Sequence, residues 1–408
     1  MKPLGPIPAG FVAMDGELAI AGHKASDLVA RAGSTPLFVY SREHLQHRVA
    51  ALRAAMPLRL ALHFAVKANP YGPVIQAMSE LVDGFDIASG GELSLLTAAG
   101  VDPKIVSFAG PGKRTEELEA AITAGATINL ESEGEAARAL DLGMRLGRAP
   151  RLAIRVNPDF DLKGSGMKMG GGAKQFGVDA ERVPALARQL IASGAEWRGF
   201  HIFAGSQALD ASAIIETQAQ TLALAARLAE QSGAPLPRCN LGGGLGIPYF
   251  PGDEPVDIAA IGAALGEAFA SLPAAIAETA FCMELGRYLV GESGVYLTRI
   301  VDRKVSHGEV FLIVDGGLHH QLAASGNFGT VVRRNYPVAI ASRFDAPVEE
   351  EANVVGCLCT PLDRLADKGG FPHADTGDLV AVFCAGAYGA SASPAQFLGH
   401  GPAAEILV

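Results

Sequence analysis

The chain has 408 residues, of which 49% are hydrophobic and 19% charged, with a formal net charge of −10. That is enough apolar material for a large core, and the negative balance argues against a general nucleic-acid or anionic-membrane binder. Five scattered cysteines, an odd number, suit a reducing compartment and not a disulfide framework; no run of about 18 apolar residues reads as a membrane span.

Pro3, Gly5 and Pro6 break the apolar run a signal peptide needs, so a cytoplasmic location is expected. Residues 1–43 contain strand-like pieces such as Leu37-Phe38-Val39-Tyr40. Short apolar runs then alternate with longer helical patterns. The strand candidates are Leu60–Asn69, Gly84–Ser89, Ile105–Gly110, Ala126–Ser132, Arg151–Pro158, Arg198–Ser206, Arg238–Leu245 and Ala280–Arg287. Between them, Thr115–Ala124, Glu133–Leu146, Val183–Ser193, Ala211–Gln231 and Ile258–Leu272 carry amphipathic helical patterns. Repeated strand–helix units predict a parallel sheet, and eight predict a closed (β/α)8 barrel, here over residues 44–288. Asp159–Lys174, rich in glycine, is expected to be a flexible rim loop with no strand. After about residue 290, Tyr296–Asp302, Glu309–Asp315, Tyr336–Ala341, Glu351–Cys357, Asp378–Cys384 and Ala403–Val408 read as strands. Residues 1–43 and 289–408 are therefore expected to form one β-rich domain into which the barrel is inserted.

In a barrel the chemistry gathers where strands end. Lys67 closes the apolar run His63-Phe64-Ala65-Val66 and is expected at the inner end of a buried strand, where desolvation frees an amine for Schiff-base chemistry. A rim lysine in a salt bridge is the plainer alternative. Gly242-Gly243-Gly244 follow the seventh strand, where barrels often hold phosphate, although a glycine run alone also makes an ordinary turn. Glu284 and Arg287 end the eighth strand: a carboxylate suited to a pyridine nitrogen and a guanidinium suited to a phosphate, or simply a structural ion pair. Tyr388 sits among small residues in Ala385–Gly389, either reaching into a cleft or packed in the core. Cys357-x-Cys359 lacks a second ligand pair nearby, so no metal is expected.

Taken in order, these motifs resemble the fold-type III pyridoxal-phosphate decarboxylases, the group of diaminopimelate and ornithine decarboxylases with an alanine racemase-like fold. The resemblance rests on Phe64–Asn69, Asp86–Leu93, Arg155–Pro158, Gly205-Ser206-Gln207, Gly242–Gly244, Glu284–Arg287, Cys359 with Asp363, and Gly386–Gly389. It implies an amino-acid decarboxylase using pyridoxal 5'-phosphate (PLP) on Lys67, with Glu284 at the pyridine nitrogen. It further implies that Ser206, Gly243, Gly244, Gly286, Arg287 and Tyr388 surround the phosphate, and that Asp86 and Glu92 lie near the lysine. Cys359 resembles a proton-donating cysteine contributed to the partner subunit's site, which implies a homodimer with shared active sites.

Three departures bear on substrate. Phe203 replaces the histidine usually placed over the cofactor ring, with His201 two residues earlier. After Asp315 the Arg-Pro step of diaminopimelate enzymes is missing, with Ala323 near its place. Cys359 is followed by Thr360 where those enzymes have Glu and ornithine enzymes have Asp. The distal end of the substrate is therefore expected to differ, with Asp315, Thr360 and Asp363 in the substrate region. Cys359–Asp363 and Ser325-Gly326-Asn327-Phe328-Gly329 most resemble a subgroup encoded with exosortase A systems and similar to glutamyl decarboxylases acting on an acyl-carrier protein. The implied partner is a small or carrier-linked amino acid, with no nucleic acid and no membrane. Diaminopimelate decarboxylase, an amino-acid racemase and a non-catalytic PLP-binding homologue are the alternatives.

Overall fold

The computed structural model describes every residue except Ser165, Met169 and 327–333, and the backbone only of Met167 and Lys168. Asn327, Phe328 and Gly329 of the subgroup motif thus lie outside the described residues. The chain divides into two compact units, one of Val49–Gly246 and Pro255–Gly286, the other of Met1–Arg48, Ile247–Glu254 and Arg287–Val408. Residues Ile247–Glu254 fall inside the span 44–288 yet group with the second unit.

The first unit is the barrel. Its parallel strands are β1 (Leu60–Ala65), β2 (Gly84–Ile87), β3 (Val106–Phe108), β4 (Thr127–Leu130), β5 (Arg151–Asn157), β6 (Glu196–Ile202), β7 (Arg238–Gly243) and β8 (Ala280–Leu285). Each pairs with the next, and β8 pairs with β1, so the sheet closes. Phe64, Phe85, Phe108 and Phe281, on β1, β2, β3 and β8, are fully buried, each stabilising the core by about 1.5–3 kcal/mol. The intervening helices start on side-chain caps at Ser89, Ser132, Asp210 and Asp257, and several end on left-handed glycines such as Gly125, Gly147 and Gly233. Capped ends satisfy the free N–H and C=O groups without spending core residues on them.

Two differences from the sequence expectation concern the site. β1 stops at Ala65, and Val66–Ala68 form a 3-10 turn, so Lys67 is exposed on the rim instead of buried in a strand. Within Asp159–Lys174, the backbone of Met167–Lys168 does form a short strand, pairing antiparallel with Gly205–Ser206. The glycines around it hide this pairing, because a two-residue strand leaves no periodicity.

The second unit is built on the 13-residue strand Gly294–Ser306. Leu37–Tyr40, Leu379–Val382 and Glu309–Val314 all pair antiparallel with it, and Glu309–Val314 pairs parallel with Glu350–Val355. Ala404–Leu407 runs parallel to Leu37–Tyr40. Leu18, Ile20, Leu28, Leu37, Val39, Val295, Leu297 and Phe383 form its core. Arg364–Phe371 is a further strand not anticipated from sequence. Its Asp367-Lys368-Gly369-Gly370 run reads as a turn, and Lys368 does take a positive φ of 50° beside a register shift. No helix among the described residues is long and apolar enough to cross a membrane.

Candidate active site

Polar side chains inside the barrel form two sets of hydrogen bonds, one reaching from the start of β7 through β1 to β2 and one near the ends of β6, β7 and β8. In the first, Arg238 donates to His63 Nε2 at 2.5 Å, and His63 Nδ1 lies 2.9 Å from Asp86 Oδ2. A guanidinium only donates, so His63 must accept at Nε2 and donate from Nδ1 to Asp86. Asp86 is buried, yet its Oδ1 has no partner. Nearby, Glu92 takes the Ala88 N–H at 2.6 Å and returns the Ser89 cap of the following helix. Burial pushes the Glu92 carboxyl up, opposed by the Ala88 N–H and the charge of Lys67.

In the second set, Glu284 on β8 is buried and its Oε2 is held by His201 Nε2 on β6 at 2.8 Å and Asn240 Nδ2 on β7 at 3.1 Å. Burial raises the Glu284 carboxyl, but the charge interaction and hydrogen bond with His201, aided by Lys67 and Arg155, hold it well below the usual carboxylate range. His201 Nδ1 is buried without a partner. Phe203 lies beside the lysine, its ring centroid 5.8 Å from Lys67 Nζ.

The glycine run is demanded by the barrel itself. A Cβ on Gly242, Gly243 or Gly244 would stand 2.6 Å from Ile202 O, 1.8 Å from Glu284 O or 2.3 Å from Gly205 O, and Gly242 and Gly244 have φ of 72° and 90°. Gly286 is similar: its Cβ would reach 2.7 Å from the Ala68 Cβ, so it lets the end of β8 lie against the Lys67 turn. Ser206 belongs to the short pairing with Met167–Lys168, and Gln207 after it holds a positive φ of 59°.

The β-rich unit carries the other expected residues. Arg287 Nη1 donates to Tyr249 Oη at 2.8 Å, and its guanidinium lies 4.8 Å from the Tyr388 ring centroid. Its Nε is buried and unpartnered, and no carboxylate pairs with it among the described residues. Glu284 pairs with His201 and not, as the plainer alternative had it, in a structural ion pair with Arg287. Tyr388 has a positive φ of 57°, uncommon for a bulky side chain and often a mark of function.

The residues expected around the substrate take other work in this structure. Asp315 Oδ1 accepts from Thr298 Oγ1 at 2.6 Å and Arg299 N at 2.9 Å, and Oδ2 accepts from Thr35 Oγ1. Asp363 takes the Leu318 N–H at 2.7 Å on Oδ1 and the Leu358 N–H at 2.8 Å on Oδ2, so both its oxygens are committed to the backbone. Thr360 Oγ1 accepts the Leu362 N–H at 3.3 Å, and Cys359 is an exposed thiol. The sequence missed His63, Arg238 and Asn240 as partners of the site, and left His201 without a role. Their positions on β1, β6 and β7 were visible, but nothing in their spacing shows that they face Asp86 and Glu284.

A family model described as pyridoxal-dependent decarboxylase, pyridoxal binding domain, matches residues 42–291. The L-glutamyl-[BtrI acyl-carrier protein] decarboxylase of Niallia circulans is 36% identical over 379 residues, 91% of this chain and 88% of that protein. The diaminopimelate decarboxylase of Archaeoglobus fulgidus is 33% identical over 401 residues, 98% of this chain and 93% of that protein. Among solved structures, a diaminopimelate decarboxylase from M. jannaschi superposes with a TM-score of 0.87 at 25% identity, covering 97% of this chain and 92% of that one.

Proposed function

The chain belongs to the pyridoxal-dependent decarboxylases, and from that premise we propose that its substrate is a glutamyl-like group carried on an acyl-carrier protein. It is a PLP-dependent carboxy-lyase with a (β/α)8 barrel and a β-rich domain.

The residues present fit the cofactor. Arg287 is a guanidinium with a buried, unpartnered Nε and no carboxylate partner among the described residues, as a phosphate ligand should be. Asp86 Oδ1 and His201 Nδ1 are buried polar atoms also left without partners. In our reading Lys67 would hold PLP covalently, and Arg287, Tyr388, Ser206 and the amides of Gly243 and Gly244 would hold its phosphate. PLP when bound supplies an electron sink for the pair left behind as the α-carboxylate departs. Glu284, kept ionised by its hydrogen bonds, holds a proton at the pyridine nitrogen. Phe203 offers an apolar face and no hydrogen bond. Asp86 is fixed by His63 near the Lys67 turn. The Cys359 thiol would supply the proton for the α-carbon, and the Lys67 amine would be the group to which the cofactor returns once the product leaves.

The observation that carries the substrate reading is Thr360: the residue after Cys359 is a hydroxyl, where a distal ammonium would call for a carboxylate. The carrier-linked glutamyl substrate of the Niallia circulans relative supports it. The same proposal makes the chain a homodimer in which Cys359 serves the partner's site, and places it in the cytoplasm, where its five free thiols are stable. The test is to offer the purified enzyme glutamyl-loaded carrier protein, free glutamate and diaminopimelate, and to follow CO2 release and the intact mass of the carrier. Loss of CO2 from the loaded carrier supports the proposal. Turnover of diaminopimelate alone overturns it in favour of the alternative that the Archaeoglobus fulgidus relative suggests.

A further inference from the structure

His319 is fully buried, and neither of its ring nitrogens has a hydrogen-bond partner among the described residues. Leaving a buried imidazole without hydrogen bonds is costly, so such a group calls for an explanation. Its neighbour shows what ordinary satisfaction looks like: His320 Nδ1 lies 3.0 Å from Tyr296 Oη and its Nε2 2.9 Å from Gly401 O. Within the same β-rich unit, one nitrogen of His319, the Cys357 Sγ and one nitrogen of His400 all lie within 4.8 Å of one another. Cys357 Sγ is 3.8 Å from His400 Nε2, and the rings of His319 and His400 have centroids 4.8 Å apart.

Two loops bring these groups together, and Asp363 holds both. Its carboxylate takes the N–H of Leu318, next to His319, and the N–H of Leu358, next to Cys357. Gly317 and Gly356 are needed there because a Cβ on either would stand 2.2 Å from that carboxylate. The backbone carrying two of the three donors is therefore fixed before any ligand arrives. Asp315 and Asp363 have their oxygens occupied, so the available donors are two imidazoles and one thiol.

We propose that His319, Cys357 and His400 form a binding site for a borderline-soft divalent cation of the zinc class, with a fourth position open to an exchangeable ligand. Hard cations such as magnesium and calcium require oxygen donors and fit this set poorly. Tetrahedral zinc bound to nitrogen and sulfur at about 2.0–2.3 Å sets its ligand atoms roughly 3.3–3.8 Å apart, so Cys357 and His400 are already spaced for it. Binding exchanges the Cys357 S–H proton for the metal, and the proton passes to solvent through the exposed side at His400. His319 and His400 reach Cys357 from distant parts of the sequence, which is why Cys357-x-Cys359 alone predicts no metal. No step of this inference rests on the decarboxylation or on its substrate.

The test uses the full chain with its cofactor, stripped of metal by a chelator and titrated with zinc chloride alone. One equivalent per chain should bind, and zinc-edge X-ray absorption should show one sulfur at about 2.3 Å with nitrogen at about 2.0–2.1 Å. Cys357→Ser should remove the sulfur and weaken binding at least tenfold, whereas Cys359→Ser should keep both signals. Because His319 is buried, exposed His400→Gln serves as the second ligand variant and should also weaken binding at least tenfold. Absence of stoichiometric binding, a sulfur-free spectrum, or a sulfur signal that survives Cys357→Ser would overturn the proposal.

Discussion

His201 Nε2 lies 2.8 Å from Glu284 Oε2, with both side chains almost completely buried. This contact joins the ends of β6 and β8 and decides the charge of Glu284. Its folded-state value is depressed below the unfolded value of about 4.3, so Glu284 contributes stability above that pH and loses it as the pH falls through the folded value. In His201→Ala, burial is left to dominate and the carboxyl rises. The acid limb of the kcat profile should then move to higher pH, and stability at neutral pH should fall by about 1.5–3 kcal/mol. Urea unfolding and a pH–rate profile measure the two effects, and an unmoved acid limb would show that Glu284 does not control turnover.

Lys67→Ala should separate chemistry from folding. The side chain is exposed on a 3-10 turn, so with the cofactor removed from both proteins the unfolding free energy should change by only about 0.5–1 kcal/mol. Turnover and the visible absorbance of bound PLP should both disappear. Retained turnover would refute Lys67 as the cofactor lysine.

Subunit mixing tests the shared site. Lys67→Ala and Cys359→Ala proteins, each inactive alone, are co-refolded in equal amounts. If each site combines Lys67 of one copy with Cys359 of the other, half the dimers are mixed and each has one intact site. Activity should recover to about a quarter of wild type by symmetry. No recovery would place Cys359 in its own subunit's site, and an active Cys359→Ala protein would place it outside the chemistry.

Asp363→Ala distinguishes a clamp from a substrate ligand. Burial raises this carboxyl, while the N–H groups of Leu318 and Leu358 oppose the rise. Removing it leaves both buried N–H groups without an acceptor and should cost about 1–3 kcal/mol in urea unfolding. A raised KM with unchanged stability would instead restore Asp363 to the substrate region.

The barrel was legible because its signals are local. Eight apolar runs alternate with helical periodicity, and the helices Thr115–Ala124 and Glu133–Leu146 fall where their amphipathic spacing puts them. The family motifs likewise survive as short words around Lys67 and Glu284. What failed was local burial and distant pairing. An apolar run ending in Lys67 reads as one strand, but the backbone turns after Ala65 and carries the lysine out to the rim. Asp315 and Asp363 are assigned to the substrate region by the family resemblance, and only the folded backbone reveals the N–H groups aimed at them. Arg238 meets His63 across 175 residues of chain, a separation to which no periodicity extends.

The pairing of Leu37–Tyr40 with Gly294–Ser306 sets the order of assembly. Tyr40 meets Gly294 across about 250 residues, and the whole barrel lies in the intervening chain. Closing so long a loop by diffusion is slow and entropically costly, whereas a barrel that has already collapsed brings the two segments close together. A barrel that collapses first would leave the β-rich unit as the late partner in folding, with its apolar strands exposed in the interval. Conditions that slow the barrel, more than any weakness in the β-rich unit's own sheet, would be what sends this chain toward aggregation.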